Sequence, residues 1–166
     1  MRFPIVFLAT MALLSACTSA TSSAPAPPWQ GEALTSVPEV YRSAWNGAEN
    51  RSTCALVAFA NTPADATPRR ANFSGGWAVA YDTPSQRSAF GIAGTGTSAD
   101  AGSTYQWPDE IVWSDGSHVS YGLEGGTGPN HLAYLRIEGQ DCLYNVWSAR
   151  GEEHLVGLLQ QIRFVR

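Results

Sequence analysis

The groups that could do acid–base or nucleophilic chemistry are few. This 166-residue chain has 10 arginines, no lysine and only three histidines. Without an amine there is no Schiff base, no Ser–Lys pair and no P-loop lysine. His118, His131 and His154 are scattered, with no HExxH spacing. In Glu152-Glu153-His154 the acids stand too near in sequence to share a helix face with the imidazole. The many serines sit in no GxSxG elbow. Gly91-Ile92-Ala93-Gly94-Thr95-Gly96 is spaced like a phosphate loop, but Thr97-Ser98-Ala99-Asp100 follows it where a helix would have to start. The helix-terminal amides that would hold an anion are therefore missing. Asp109, Glu110 and Asp115 are the nearest thing to an acid cluster. Adjacent residues of a strand face opposite ways, however, and Asp115 is accounted for by a turn. The expectation is a chain with no catalytic residue, no metal ligands and no cofactor.

Binding chemistry is better represented. Thr104-Tyr105-Gln106-Trp107-Pro108-Asp109-Glu110 places aromatics beside acids at the edge of a loop, the combination that anchors protein interfaces. Tyr105, Trp107, Asp109 and Glu110 are the candidate partner-binding residues; the competing role for the two aromatics is core packing at a strand start. A net charge of −4 with no basic cluster argues against nucleic acid as a partner.

These residues need elements to hold them. Val40, Tyr41, Ala44 and Trp45 recur at helical spacing, with Ser36 as a possible cap and Gly47 as the stop. Strands are expected over Cys54–Ala60, Gly76–Asp82, Ser88–Gly94, Tyr105–Ser114, Ser117–Leu123, His131–Glu138 and Cys142–Ser148. Over Glu152–Ile162, Leu155, Leu158, Leu159 and Ile162 form the stripe of an amphipathic helix, with Glu152 and Glu153 at its positive end. Asp115-Gly116 suggests a two-residue type I′ hairpin that pairs Trp113 with His118, Val112 with Val119 and Glu110 with Tyr121. Gly139-Gln140 as a type II′ turn pairs Ile137 with Cys142, Leu135 with Tyr144 and Ala133 with Val146, all on one apolar face. The other face there is mixed: Leu132, Tyr134, Arg136, Leu143, Asn145 and Trp147. In the earlier strands, Trp77, Val79, Tyr81, Phe90 and Ile92 alternate with Ala and Gly, a bare face that the C-terminal helix could approach. The fold class is α+β: an antiparallel sheet of about six to eight strands with a short N-terminal helix and a C-terminal amphipathic one.

Met1-Arg2 followed by an apolar run to Leu14 has the layout of a secretory signal and is too short to span a bilayer comfortably. It ends in Leu14-Ser15-Ala16-Cys17, which resembles the lipobox of bacterial lipoproteins. That resemblance implies cleavage before Cys17, acylation (palmitate among the chains) at this residue, and attachment to a membrane. With Thr18 rather than Asp after the Cys, it implies the outer membrane, on the periplasmic side or exposed at the surface. Residues 1–16 are then a signal peptide, 17–36 the lipidated Cys and a disordered tether, and 37–166 one globular domain. Thr18–Pro28, reading TSATSSAPAPP, has no large apolar residue with which to order itself.

Export leaves Cys54 and Cys142 in an oxidising space, where the expectation is a disulfide. The β-hairpin register independently turns Cys142 inward. Ala101-Gly102-Ser103-Thr104-Tyr105 faintly resembles the inhibitory loop of periplasmic lysozyme-inhibitor lipoproteins, which are small, β-rich and disulfide-pinned, with Ala101 where that loop carries Ser. The expected function is a non-enzymatic, lipid-anchored protein-binding module, with inhibition of or immunity to a cell-wall hydrolase as one concrete form. The alternative is a structural or assembly lipoprotein contacting an envelope complex through the face with Tyr134, Arg136 and Asn145; an unrecognised hydrolase is a remoter one.

Overall fold

The computed structural model describes residues 23–98, 107–126 and 128–166. The chain is α+β, as its patterning implies. Helix α1 spans Glu39–Asn46 and α2 spans Glu152–Leu159. The strands are β1 Val57–Phe59, β2 Thr67–Ala71, β3 Trp77–Thr83, β4 Gln86–Gly94, β5 Asp109–Val112, β6 His118–Leu123, β7 His131–Arg136, β8 Leu143–Ser148 and β9 Ile162–Phe164. Seven form one antiparallel sheet in the order β2-β3-β4-β8-β7-β6-β5, while β1 and β9 pair in a small sheet of their own. Two meanders, β2–β4 and β5–β8, are thus joined edge to edge by β4 and β8. No helix among the described residues is long and apolar enough to cross a membrane.

One face of the large sheet carries Trp77, Val79, Tyr81, Phe90, Ile92, Val119, Ala133, Leu135, Tyr144 and Val146, all buried. Against it lie α1, α2 and the small sheet, contributing Tyr41, Leu155, Leu158, Leu159, Val57, Phe59 and Ile162. Rings dominate the packing: Tyr81 stacks on Phe90 at 4.7 Å, and the Tyr41 and Tyr81 hydroxyls share a buried hydrogen bond of 3.1 Å. Burial pushes both phenols up, so both stay protonated. The disulfide joins Cys54, just ahead of β1, to Cys142, just ahead of β8. Cys142 points into the core, as the register of its hairpin requires.

Several sequence expectations need correction. The β5–β6 register is one residue away from the expected one: Val112 faces His118, Ile111 faces Val119 and Asp109 faces Tyr121. A type I′ turn needs positive φ at both central residues, and Asp115 is not among the residues with positive φ. Instead Trp113 pairs with Ser117 around a three-residue loop, with Gly116 at φ 93° supplying the bulge. The β7–β8 register is as expected, but its turn centres on Glu138-Gly139, closed by the Gln140 N–H on the Ile137 carbonyl.

Helix α2 stops at Leu159, and Ile162 starts β9. It packs on β8 and β7, with the His154 ring 5.1 Å from Phe90, which is the bulky side of the sheet and not the bare one. At Gly91 the bare side is filled from within the sheet. The Trp147 ring lies across Gly91, so closely that a Cβ there would sit 2.2 Å from it. Strand β2 was not expected at all. Helix α1 begins after Pro38 with no side-chain cap, so Ser36 does not serve it.

From Pro25 on, the described part of the expected tether packs on the domain: Trp29 is buried, the Pro25 carbonyl accepts the Ser114 N–H, and the Leu34 N–H bonds the Phe164 carbonyl. An indole and a few backbone bonds dock a segment whose composition otherwise reads as linker.

Candidate partner-binding face

The face of the large sheet on which no helix of the described residues packs is where the predicted binding residues have to be placed. Glu110 and Val112 of β5, His118 and Ser120 of β6, Leu132, Tyr134 and Arg136 of β7, and Asn145 and Trp147 of β8 share this side by register. Just ahead of β5, Trp107 and Pro108 fold over Gly122, where a Cβ would come within 2.7 Å of Pro108 and 3.0 Å of the Trp107 ring. The glycine is what lets the indole lie down on the sheet. Its ring then meets Tyr134 at 5.7 Å, tilted by 57°.

Together Trp107, Pro108, Leu123, Leu132 and Tyr134 line a cleft of about 440 Å³, closed at one end by Glu124-Gly125-Gly126. Leu123 at its edge is 39% exposed, and Glu110 and Glu124 are exposed nearby. The Asn130 amide donates to the Glu124 carboxylate at 2.9 Å and holds that rim. Gly125 and Gly126 both take positive φ, 61° and 74°, so the backbone can turn tightly here. An apolar aromatic floor with an acidic margin can seat an apolar side chain flanked by a cation.

Of the four residues expected to bind a partner, the structure puts Trp107 and Glu110 on this face. Asp109 turns the other way, opposite Tyr121 on the core side. There burial, and then the negative charges of Asp109 and Glu152, push the Tyr121 hydroxyl up. Tyr105, and with it the whole Ala101–Tyr105 stretch that resembles the inhibitory loop, lies outside the described residues. Tyr134, Leu132 and Leu123 complete the cleft without having been singled out as a set. For Leu132 and Tyr134 the sequence signal was the mixed outer face of the β7–β8 hairpin; Leu123, at the end of β6, carried none.

The histidines sit elsewhere. His118 contacts Arg136 at 3.3 Å. His131 faces Ser148 across the β7–β8 pair, and its buried Nδ1 has no hydrogen-bond partner among the described residues. His154 Nδ1 lies 2.9 Å from Ser148 Oγ, a contact that sequence spacing did not signal. A Ser–His bond is half of a nucleophile pair, but Ser148 is fully buried and its Oγ also accepts the Arg150 N–H at 3.0 Å. The pair therefore clamps the end of β8 to the first turn of α2. Among the described residues no three His, Cys, Asp or Glu side chains group as metal ligands.

Burial, then the Arg150 charge, hold His154 below the ordinary histidine range. Its folded pKa is lower than its unfolded one, so the unfolded chain takes up the proton first on acidification. Stability is full above about pH 6.5 and falls as pH drops toward and through the folded pKa. Urea unfolding at pH 7 and pH 5 is expected to show a lower midpoint at pH 5, with the difference reduced in His154→Gln. Equal pH sensitivity in that variant would assign the effect to other groups.

Compared with protein-family models, curated proteins and solved structures, the chain gives no match to any. The functional reading therefore rests on the face itself.

Proposed function

We propose that this protein is an envelope lipoprotein, anchored by acyl chains on Cys17, that binds a cationic protein partner through the Trp107–Tyr134 cleft. A peptidoglycan hydrolase is the partner class it fits best. The observation that carries this reading is the cleft: an aromatic pair laid on a sheet face that no helix among the described residues covers, opened by a half-exposed Leu123 and edged by Glu124, with Glu110 exposed on the same face. Net charge supports it, since a chain at −4 attracts a cationic enzyme and speeds its encounter. The lipobox resemblance supports the location, in the space such enzymes work in. The face that an assembly lipoprotein would use, with Tyr134, Arg136 and Asn145, is the same face, but Asn145 is buried and Arg136 is engaged with His118. The cleft lined by Trp107, Pro108, Leu123, Leu132 and Tyr134 is the part of that face assigned to the partner in this proposal.

The test is titration of cationic muramidases with the folded protein while following lysis of purified peptidoglycan. Stoichiometric inhibition is expected. Trp107→Ala should weaken it by roughly 30-fold, the cost of a central aromatic anchor of about 2 kcal/mol. Glu110→Lys with Glu124→Lys should slow association, most strongly at low salt. Absence of inhibition, with co-purification in a large envelope complex, would favour the assembly role instead. Inhibition unchanged in all these variants would move the site off this face.

A further inference from the structure

The anchor reading can be taken one step further, to how the protein stands on its membrane; this inference rests on acylation at Cys17. The N-terminal segment does not leave the domain at an arbitrary point. The Pro25 carbonyl accepts the Ser114 N–H at 2.9 Å, at the tip of the β5–β6 hairpin. Trp29 then donates from Nε1 to the Asp115 carboxylate at 3.0 Å and meets Trp113 edge-on at 4.8 Å. Further along, the Leu34 N–H bonds the Phe164 carbonyl and Leu34 bridges to Val165 in parallel, which fixes the segment to the small sheet as well.

Only the seven residues Thr18–Ala24 separate Cys17 from this docking point. Whatever conformation they take, eight Cα–Cα steps reach no farther than about 29 Å. The leash therefore ends on one particular end of the large sheet. That end also carries the β7–β8 turn, where Glu138 lies against Gly116 and donates its N–H to Ser117 Oγ. The cleft is at the opposite end of the same hairpin, beside Leu123 and Glu124. The six steps along the chain from Ser117 to Leu123 span about 20 Å.

We propose that docking of Pro25 and Trp29 on the β5–β6 tip holds that tip toward the bilayer and presents the Trp107–Tyr134 cleft outward, away from the anchoring membrane. The partner is then met on the far side, where it arrives from the aqueous space, and need not touch lipid.

The experiment uses the full-length, natively processed protein in vesicles of phosphatidylethanolamine and phosphatidylglycerol. A donor dye is placed on Glu138→Cys or on Glu124→Cys, both exposed positions, and an acceptor on the lipid headgroups. Energy transfer should be higher from 138 than from 124, corresponding to a difference in height of about 20 Å. Inserting a six-residue Gly-Ser segment after Ala20, which leaves every docked residue in place, should lower transfer from both sites and shrink the difference. Equal transfer from the two sites, or higher transfer from 124, overturns the orientation while leaving the anchor intact. Failure to associate with vesicles, with a mass spectrum showing an unacylated start, overturns the anchor and this inference together.

Discussion

Cys54→Ala combined with Cys142→Ala is expected to lower the unfolding free energy by about 4–5 kcal/mol, read as a fall of about 15 °C in Tm. The two sulfurs are 88 residues apart in sequence, so the bridge closes a long loop in the unfolded chain and removes much of its freedom. Both cysteines are buried, at 1% and 0% exposure, so the bond also crosses the core interior. It ties the lead-in to β1, which belongs to the small sheet, to the lead-in to β8 in the large one. Nearby, the Asn50 amide donates to the Gly94 and Thr95 carbonyls and contacts Cys54 Sγ at 3.1 Å, so the loop ahead of β1 has its own attachment. That attachment should survive in the double variant, leaving a folded but much weaker domain. Domains of this size keep about 5–15 kcal/mol in total, so a loss of this order is a large part of it. Urea unfolding of native, reduced and double-alanine proteins measures the loss directly. A loss below about 1 kcal/mol would mean that the unfolded chain is already compact across this loop.

The same bridge shows what a linear reading can and cannot reach. Cys142 was placed in the core because Ala133, Leu135, Ile137, Tyr144 and Val146 alternate so regularly that one register alone buries them all. The β5–β6 hairpin has a weaker pattern, and Asp-Gly suits both a two-residue loop and a three-residue loop with a bulge at Gly116. The choice between them depends on the φ of Asp115, which its neighbours in sequence do not determine.

Strand β2 escaped notice for a different reason. Thr67-Pro68-Arg69-Arg70-Ala71 has no apolar alternation, because it is an edge strand. It is held by pairing to β3 and by Arg69 on Asp82 at 2.8 Å. Trp107 and Glu110 of the cleft could be picked out as interface types. Their meeting with Tyr134 and Leu132 depends on β6 lying between β5 and β7 and on Gly122 admitting the indole, which are long-range facts of topology. The bare Ala and Gly positions of β3 and β4 suggested a close neighbour. At Gly91 the close neighbour is the Trp147 ring, brought there by the pairing of β4 with β8.

Trp29→Ala is expected to lower stability by about 3–5 kcal/mol, the cost of emptying a buried indole site. Trp29 is 5% exposed although it follows a run of Pro, Ala and Ser that has no other means of ordering itself. Its ring fills the space beside Trp113, and its N–H helps satisfy Asp115. Burial works against ionisation of Asp115, but the Ser117 backbone N–H and the Trp29 indole outweigh it and hold the carboxyl below its ordinary range. Because that folded pKa is depressed, the bond contributes above the unfolded value and is lost as pH falls through the folded one. Trp29→Phe separates the two contributions. It restores most of the apolar contact without the donor, so it should cost only about 1–2 kcal/mol at neutral pH and show a shallower loss on acidification below about pH 4. Limited proteolysis adds a local readout: in Trp29→Ala the segment around residues 25–33 should be cut before the domain, whereas in the native protein it should resist as long as β5 and β6 do. An alanine variant with the native urea midpoint and native protease resistance would show that the strap adds nothing to the fold. The proposed leash to Cys17 would then be longer by all of those residues, and the proposed orientation of the hairpin tip would lose its basis.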